Sequence, residues 1–429
     1  MPAPKMILDK RIQTNISLCK KSNGTKINLQ RAAQNIVELQ RGLTGKRSLV
    51  GNAYMQQAAS LQAYLLYYWP VSYAQTVAAL QREPRFFEAV KKIADQGAAR
   101  PIRILDLGSG PAPACCALAD LAQGRGEQNL RFEFFLYDSS GDALSLGKRI
   151  LESAFPKTAR VETNVCNFEN ASKPKNDATG TGSKTKNAAA FLGGKKYDFI
   201  IASHSLNELW KNEKKRGEKV EAFLSAVCDQ LEDGGLLLLT EPALLATSRA
   251  LIEARDWLVQ NGMRVVSPCL CPQAPCPALE NPNATCHYQF DWEMPQIVAD
   301  LARLAGLNRA DVKMTYFVFE KSAYDSLGQD SNLLQAQEAA GPDFRLANAS
   351  ALVVSEPMLN KAGRIRYVLC DGKSRFTLSA KNGDPLASAQ SFFALKRYDK
   401  IAIQNAQVRS QNGEPLSLGI GEDTRIFID

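Results

Sequence analysis

The chain has ten cysteines, and five of them are placed as a set rather than scattered. Cys269-Leu-Cys271-Pro-Gln-Ala-Pro-Cys276-Pro is followed by Cys286-His287, and Cys370 lies further on. The first four fall within 18 positions of a loop rich in Pro and Asn. Thiolates so spaced suit zinc or an iron–sulfur cluster, not ions that prefer carboxylates. The N-terminus, Met1-Pro-Ala-Pro-Lys-Met, has no apolar signal-peptide core, so the chain reads as intracellular, where disulfides seldom persist. The prolines reduce the entropy lost when the thiolates converge. Paired Cys-x-x-Cys knuckles are absent, as is the Cys-x3-Cys-x2-Cys run of a radical S-adenosylmethionine enzyme. Cys19, Cys115, Cys116, Cys166 and Cys228 read as small apolar residues.

A second constellation is Asp106-Leu-Gly108-Ser-Gly110-Pro-Ala-Pro113, at the end of an apolar run and the start of a helical one. Glycines at a strand-to-helix turn let a ligand approach the backbone, and the helix N-terminus favours a negative group. Asp138 ends the next apolar run, where an acid can bond the hydroxyls of a ribose. Pro113 stands in place of the third glycine of the pyrophosphate fingerprint, which argues against a dinucleotide. S-adenosylmethionine has no pyrophosphate and can do without it. Asn167 follows the third run, on the adenine side. The fourth delivers Ser203-His204-Ser205-Leu-Asn207-Glu208-Leu209 to the same edge. The cofactor candidates are therefore Asp106, Gly108, Gly110, Asp138, Asn167 and Ser203. No catalytic residue is assigned. Neither an Asn-Pro-Pro-Tyr motif nor a catalytic cysteine box follows the fourth strand, and His204 reads as a structural histidine. Glu241-Pro242 reads as shaping its loop. A similar sheet with an empty pocket is the competing reading.

The elements that must position these residues are short apolar runs alternating with helical stretches. Arg103–Leu107, Phe132–Asp138, Arg160–Val165, Asp198–Ser203, Gly235–Glu241, Arg264–Pro268 and Lys313–Glu320 predict the strands of a mostly parallel α/β sheet. Residues 1–48 form a basic segment with one helix at Leu29–Leu43, and 49–100 a helical region broken by Pro70 and Pro84. Its aromatics Tyr64, Tyr67, Tyr68, Trp69 and Tyr73 read as packing. The α/β domain spans 101–321, with a flexible insertion at 170–196 and the cysteine loop at 267–288. After a polar connector, 343–429 alternate strand-like runs with Asp371-Gly372, Asn382-Gly383 and Asn412-Gly413, which predicts a small antiparallel β-domain.

The net charge is +8, and the basic excess is concentrated in two zones. Residues 1–50 hold ten basic side chains against Asp9 and Glu38, and residues 361–400 hold nine against Asp371, Asp384 and Asp399. Such zones fit a polyanion, and equally two solvated faces. No apolar stretch reaches the roughly 18 residues of a membrane span, so a membrane is not an expected partner. DNA is not an expected partner either.

Taken together, these motifs resemble the methyltransferase-like proteins of the small ribosomal subunit, the Rsm twenty-two family of yeast mitochondria and methyltransferase-like protein seventeen of animals, with bacterial relatives. The resemblance covers roughly residues 50–420. It rests on Asp106-Leu-Gly-Ser-Gly-Pro, on Ala202-Ser-His-Ser-Leu-Asn-Glu-Leu209 and on Glu241-Pro242. It rests too on Ser267-Pro-Cys with Pro-Cys276-Pro and Cys286-His287, and on Arg364-Ile-Arg-Tyr-Val-Leu-Cys370-Asp-Gly372. It implies a class I S-adenosylmethionine methyltransferase fold and a 4Fe-4S cluster on Cys276, Cys286, Cys370 and either Cys269 or Cys271. It also implies association with small-subunit ribosomal RNA. Ala112 replaces a glycine common in the family's first loop. Three functions follow as expectations: an assembly factor that binds ribosomal RNA, an active RNA methyltransferase, or a non-catalytic RNA-binding module with zinc. The expected setting is a bacterial cytoplasm, with the mitochondrial matrix as the alternative.

Overall fold

The computed structural model describes residues 4–23, 27–45, 55, 57–96, 100–124, 130–171, 194–270, 274–321, 348–411 and 414–429. Cys271, most of the insertion, the polar connector and Asn412-Gly413 lie outside the described residues.

The expected α/β sheet is present. Its strands are β1 (Ile102–Leu107), β2 (Phe132–Asp138), β3 (Ala159–Val165), β4 (Tyr197–Ser203), β5 (Leu231–Glu241), β6 (Met263–Ser267), β7 (Tyr288–Asp291) and β8 (Asp311–Lys321). They run in the order β3-β2-β1-β4-β5-β8-β6, with β7 paired to β8. β1 to β5 are mutually parallel, and β8 lies antiparallel between β5 and β6. An antiparallel strand inserted between the fifth and sixth is the mark of the class I methyltransferase fold. The parallel strands are apolar almost throughout because helices cover both faces; β4 is buried from Tyr197 to Ala202. Their carboxyl ends form the edge at which such sheets bind ligands. β6 ends on that edge and runs into the cysteine loop, and β7, which follows Cys286-His287, returns the chain to β8.

The helices ahead of the sheet are α1 (Pro4–Asn23), α2 (Leu29–Gln40), α3 (Ala58–Ala63), α4 (Trp69–Leu80) and α5 (Pro84–Ala94). Within the sheet domain, α6 (Pro113–Gln123) leads from the glycine turn and α7 (Gly141–Ala154) from β2. Helices α8 (Arg216–Asp229), α9 (Leu245–Gln260) and α10 (Gln296–Ala305) follow. The sequence reading missed α1, whose apolar residues are few and whose charges are many. It packs nonetheless: Leu8 and Ile12 enter the main core, and Arg11 is buried against Asp120 of α6. Arg11 therefore does not belong to the basic face expected of this segment. α2 closes on α10 through Ile36, Leu39, Val298 and Leu301.

The C-terminal domain has strands β9 (Ser350–Val353), β10 (Met358–Leu359), β11 (Arg364–Cys370), β12 (Arg375–Lys381), β13 (Lys400–Gln404), β14 (Gln407–Gln411), β15 (Glu414–Gly419) and β16 (Arg425–Ile428). β11 and β12 form the expected hairpin across Asp371-Gly372, where Gly372 takes a φ of +91°. The sheet is not wholly antiparallel, because β12 and β15 pair in parallel. β15 is held by its own hairpin with β14, which sets its direction before it reaches β12. Tyr367, Leu369, Leu378, Phe392 and Ile401 give this domain its own core. Leu352, Val354 and Tyr398 join the main core instead, so the two domains share a packed seam.

Candidate functional site

β1 ends in the glycine turn. Gly108 and Gly110 have φ of +75° and +50°, a region that L side chains rarely adopt. A Cβ on Gly108 would sit 2.6 Å from the Ser205 Cβ, so the loop after β4 closes directly over this turn. Ala112, just before α6, holds a φ of +56°, a left-handed conformation that glycine adopts more readily.

Asp138 grips the turn from the next strand. Its Oδ2 accepts the Gly110 N–H at 2.8 Å and its Oδ1 the Ser140 N–H at 2.8 Å. Burial raises its pKa, and these donors pull it back. The expected ribose-binding acid thus also fixes the loop. Asp106 is buried behind the turn, where Oδ2 accepts from the Cys115 thiol at 3.3 Å and Oδ1 has no partner among the described residues. Burial pushes this carboxyl up to about 7.

A cavity of about 800 Å³ opens in front of the turn. Of the expected residues, Gly108, Asp138, Asn167 and Ser203 line it, while Asp106 and Gly110 stand behind. Asn167 Oδ1 accepts the Glu169 N–H at 2.9 Å, and Ser203 Oγ lies 2.8 Å from Thr240 Oγ1. The helical region supplies a roof that sequence reasoning did not find: Tyr64, Tyr68, Ser72 and Gln75. Its tyrosine-rich run was the available signal. Trp69 and Tyr73 are core, as expected of that run, and bond Pro111 O and Asp120. Arg309 and Lys313 line the far wall.

His204 is placed by these contacts rather than offered as a base. Gln75 Nε2 donates to the Lys313 carbonyl at 3.1 Å, which turns its Oε1 toward His204 Nε2 at 2.8 Å. A carbonyl only accepts, so Nε2 carries the proton. Burial, then the Arg309 charge, lowers the His204 pKa to about 4, and the ring is neutral at physiological pH. Glu241 holds the same loop by accepting the Asn207 N–H at 2.9 Å, and burial pushes its carboxyl up to about 8.

In the cysteine loop, Cys276 and Cys286 are buried, and Cys370 reaches toward them from the end of β11. Cys269, Cys276, Cys286 and Cys370 each lie within reach of the others' charge. Burial is the main cause that raises the Cys269 and Cys276 thiols, the latter to about 12, while the Arg255 charge lowers both. Arg255 is itself buried and bonds Asp256 at 2.6 Å, and Asp256 Oδ2 accepts the Cys276 N–H at 2.8 Å. From the β-domain, Arg375 donates to Thr285 O at 3.1 Å and Arg397 to Val354 O and His287 O. A set of four thiols beside buried guanidinium fits a thiolate-held metal centre, whose net charge is negative. As they stand, no group of three or more His, Cys, Asp or Glu among the described residues is placed to hold a metal ion.

Residues 59–379 match the family model described as mitochondrial small ribosomal subunit Rsm22. This chain belongs to the Rsm22 family. No curated protein sequence matches it. Among solved structures it is similar to an rRNA methylase from Streptococcus thermophilus, at 11% identity and TM-score 0.29, covering 55% of this chain and 94% of that one. It is also similar to a methyltransferase from Pyrococcus furiosus, at 10% identity and TM-score 0.27, covering 54% and 81%. A third is a ribosomal protein L11 methylase from Lactobacillus delbrueckii subsp. bulgaricus, at 10% identity and TM-score 0.26, covering 55% and 78%. The assignment of this Rsm22 protein to the class I fold rests on its strand order. It is a methyltransferase-like protein of a small-subunit family. No helix among the described residues is long and apolar enough to cross a membrane.

Proposed function

We propose that this protein binds small-subunit ribosomal RNA and serves assembly or translation, with an S-adenosylmethionine-type pocket in its α/β domain and a 4Fe-4S cluster joining that domain to the β-domain. The observation that carries the reading is the match of residues 59–379 to the Rsm22 family of the small ribosomal subunit, and the cysteines of the loop and of β11 support the cluster by their donor chemistry. Cys269, Cys276, Cys286 and Cys370 would hold the cluster, with Cys271 as the rival first ligand. The cluster's contribution is chiefly structural: ligands from both domains couple metal binding to the folding of each. In the pocket, Gly108 and Gly110 would let the cofactor approach the backbone, Asp138 would accept from its ribose, and Asn167 and Ser203 would flank it. The family description is mitochondrial, which supports the matrix as the setting, with a bacterial cytoplasm as the alternative.

The test is iron, acid-labile sulfide and zinc content of anaerobically purified protein, with its visible spectrum. About four irons and four sulfides per chain, with a broad band near ~400 nm, are expected. Stoichiometric zinc without sulfide refutes the cluster and keeps a metal-tied pair of domains.

A second reading, active ribosomal RNA methyl transfer, is favoured by the extent of the cavity beyond the glycine turn to Arg309 and Lys313, where an anionic acceptor would be drawn. Transfer of label from the methyl donor to small-subunit RNA supports it. Cofactor binding without transfer refutes it.

A further inference from the structure

The face of the β-domain sheet turned away from Tyr367, Leu369 and Leu378 carries cations that the seam between the domains does not use. Other basic residues of 361–400 are spent at that seam. Arg375 donates to Thr285 O, Arg397 to His287 O and Val354 O, and Lys396 pairs with Asp291. Arg364, Arg366 and Lys381 are not spent there. Register puts them on one face, because Arg364 lies opposite Lys381 and Arg366 opposite Ser379, and side chains opposite one another in a ladder point the same way. β15 extends this face with Gly419 beside Ser379, and β14 extends it again with Arg409 beside Ser417.

Two of these side chains converge. Arg364 leans over β12, where its Nη2 donates to Ser379 O at 3.0 Å, and its buried Nε has no partner among the described residues. Arg409 leans over β15. A Cβ on Gly419 would lie 2.6 Å from Arg409 Nη2 and 2.8 Å from both Cζ and Nε, so the guanidinium lies flat on the glycine. Ser379 and Gly419 are paired, which sets the two guanidiniums side by side above them. Burial, then the Arg409 charge, lowers the Arg364 pKa, and Asp384 opposes this. Asp384 is itself engaged, accepting the N–H groups of Leu386 and Ala387. No ion pair among the described residues involves Arg364, Arg366, Lys381 or Arg409, and Glu414 is the only acid in the strands described for this sheet.

Like charges left opposite one another weaken a sheet, and an anion that bridges them removes that cost. Alternate residues of a strand stand about 6.7 Å apart, close to the separation of successive phosphates along a nucleic-acid strand. The residues between the cations are Ser379, Ser417 and Gly419, not the large apolar side chains that centre a protein interface. The exposed Phe427 and Ile428 lie on β16, at the opposite edge. Resting on the ribosomal RNA reading above, we infer that this face binds the phosphate backbone of an RNA strand: Arg364 and Arg409 take one phosphate between them, and Arg366 and Lys381 take its neighbours. Such contacts fix the position of the strand and carry no sequence information of their own.

The experiment uses the full chain and purified small-subunit ribosomal RNA, with binding titrated over a range of salt. Arg366→Gln combined with Arg409→Gln removes two cations and leaves Arg364 to hold Ser379. Arg425→Gln removes a cation from β16 at the opposite edge and serves as the control. The double variant is expected to bind roughly tenfold more weakly at low salt and to reduce the slope of log K against log salt by about 1–2, while Arg425→Gln stays within about twofold of wild type. A folded double variant with wild-type affinity and slope overturns the inference and leaves the RNA reading standing. A loss per charge as large in Arg425→Gln overturns it as well, because net charge would then be the cause. Polyglutamate that binds the wild type as tightly as the RNA and displaces it overturns it in favour of an acidic protein partner. Wild-type protein that binds no RNA sinks the RNA reading and this inference with it. If the double variant does not fold, phenylglyoxal labelling of the wild type, read by mass spectrometry, should find Arg366 and Arg409 protected by RNA and Arg425 open. Unprotected Arg366 and Arg409 overturn the inference.

Discussion

Replacing Arg11 with Met should destabilise the protein far more than the loss of a surface charge in a basic N-terminal arm. Arg11 Nε lies 3.0 Å from Asp120 Oδ2 and Nη2 lies 2.5 Å from Oδ1, with both side chains buried. The guanidinium also lies 4.7 Å from the centre of the Phe155 ring. Removing it strands the Asp120 carboxylate with the Tyr73 hydroxyl at 2.8 Å as its main remaining donor. Breaking a buried pair from one side costs about 3–5 kcal/mol, against about 0–1 for an exposed pair. Met fills much of the vacated space, which places the expected loss near ~3 kcal/mol. Adding Asp120→Asn removes the stranded charge while keeping an acceptor for Tyr73, and should return about 2 kcal/mol. The assay is urea unfolding of the wild type, R11M, D120N and the double variant, read by tryptophan fluorescence. Because Asp120 sits on the helix that leaves the glycine turn, the same samples should lose S-adenosylmethionine affinity in parallel. A loss below ~1 kcal/mol for R11M, with no coupling to Asp120, would refute the buried pair and return Arg11 to the exposed basic face.

Three further outcomes are expected. Gly108→Ala combines a φ of +75° with a Cβ placed 2.6 Å from that of Ser205, so it should cost at least the ~1–2 kcal/mol of a left-handed alanine and weaken cofactor binding; wild-type stability and affinity would show that the Ser205 loop is not closed over the turn. Glu241 has its pKa raised to about 8 from 4.5, so the fold favours its protonated form, and this contribution is full below pH 4.5 and is lost as the pH rises toward 8. Glu241→Gln, which mimics the neutral acid, should therefore flatten the fall in stability between pH 5 and 8, a fall of up to ~1.4 kcal/mol per pH unit for one group; equal pH profiles would refute it. Cys370→Ser should lower iron content and make residues 348–429 more sensitive to protease, and unchanged values of both would remove Cys370 from the centre.

Several features of the molecule are local in the chain and could be read there. The Asp106–Pro113 turn and the apolar parallel strands are each set by neighbouring residues: glycines where φ is positive and apolar runs where both faces are covered. The Asp371-Gly372 hairpin belongs with them. What was missed depends on partners distant in sequence. The α1 helix has too few apolar residues to show a periodic stripe, and only Asp120 and Phe155 on the other side explain how Arg11 is buried in it. The parallel pairing of β12 with β15 joins strands separated by a hairpin of their own, which no local signal encodes.

The site divides in the same way. The types of its groups were legible, since a glycine turn, an acid at the end of β2 and a set of cysteines announce their chemistry by identity and spacing. Their states were not. Asp138 is spent partly on the Gly110 N–H, His204 is neutral because burial and the Arg309 charge lower its pKa, and Glu241 favours its protonated form because β5 carries it into the core. Protonation and hydrogen-bond assignment depend on burial and on which donors arrive from elsewhere in the fold. The sequence by itself therefore determined the fold class, because it follows from residue type and local periodicity. Only the tertiary structure decided that the helical region roofs the cavity, that Ser205 closes over Gly108, and that Tyr398 reaches the cysteine loop from another domain. Those are contacts between residues tens to hundreds of positions apart, and packing alone brings them together.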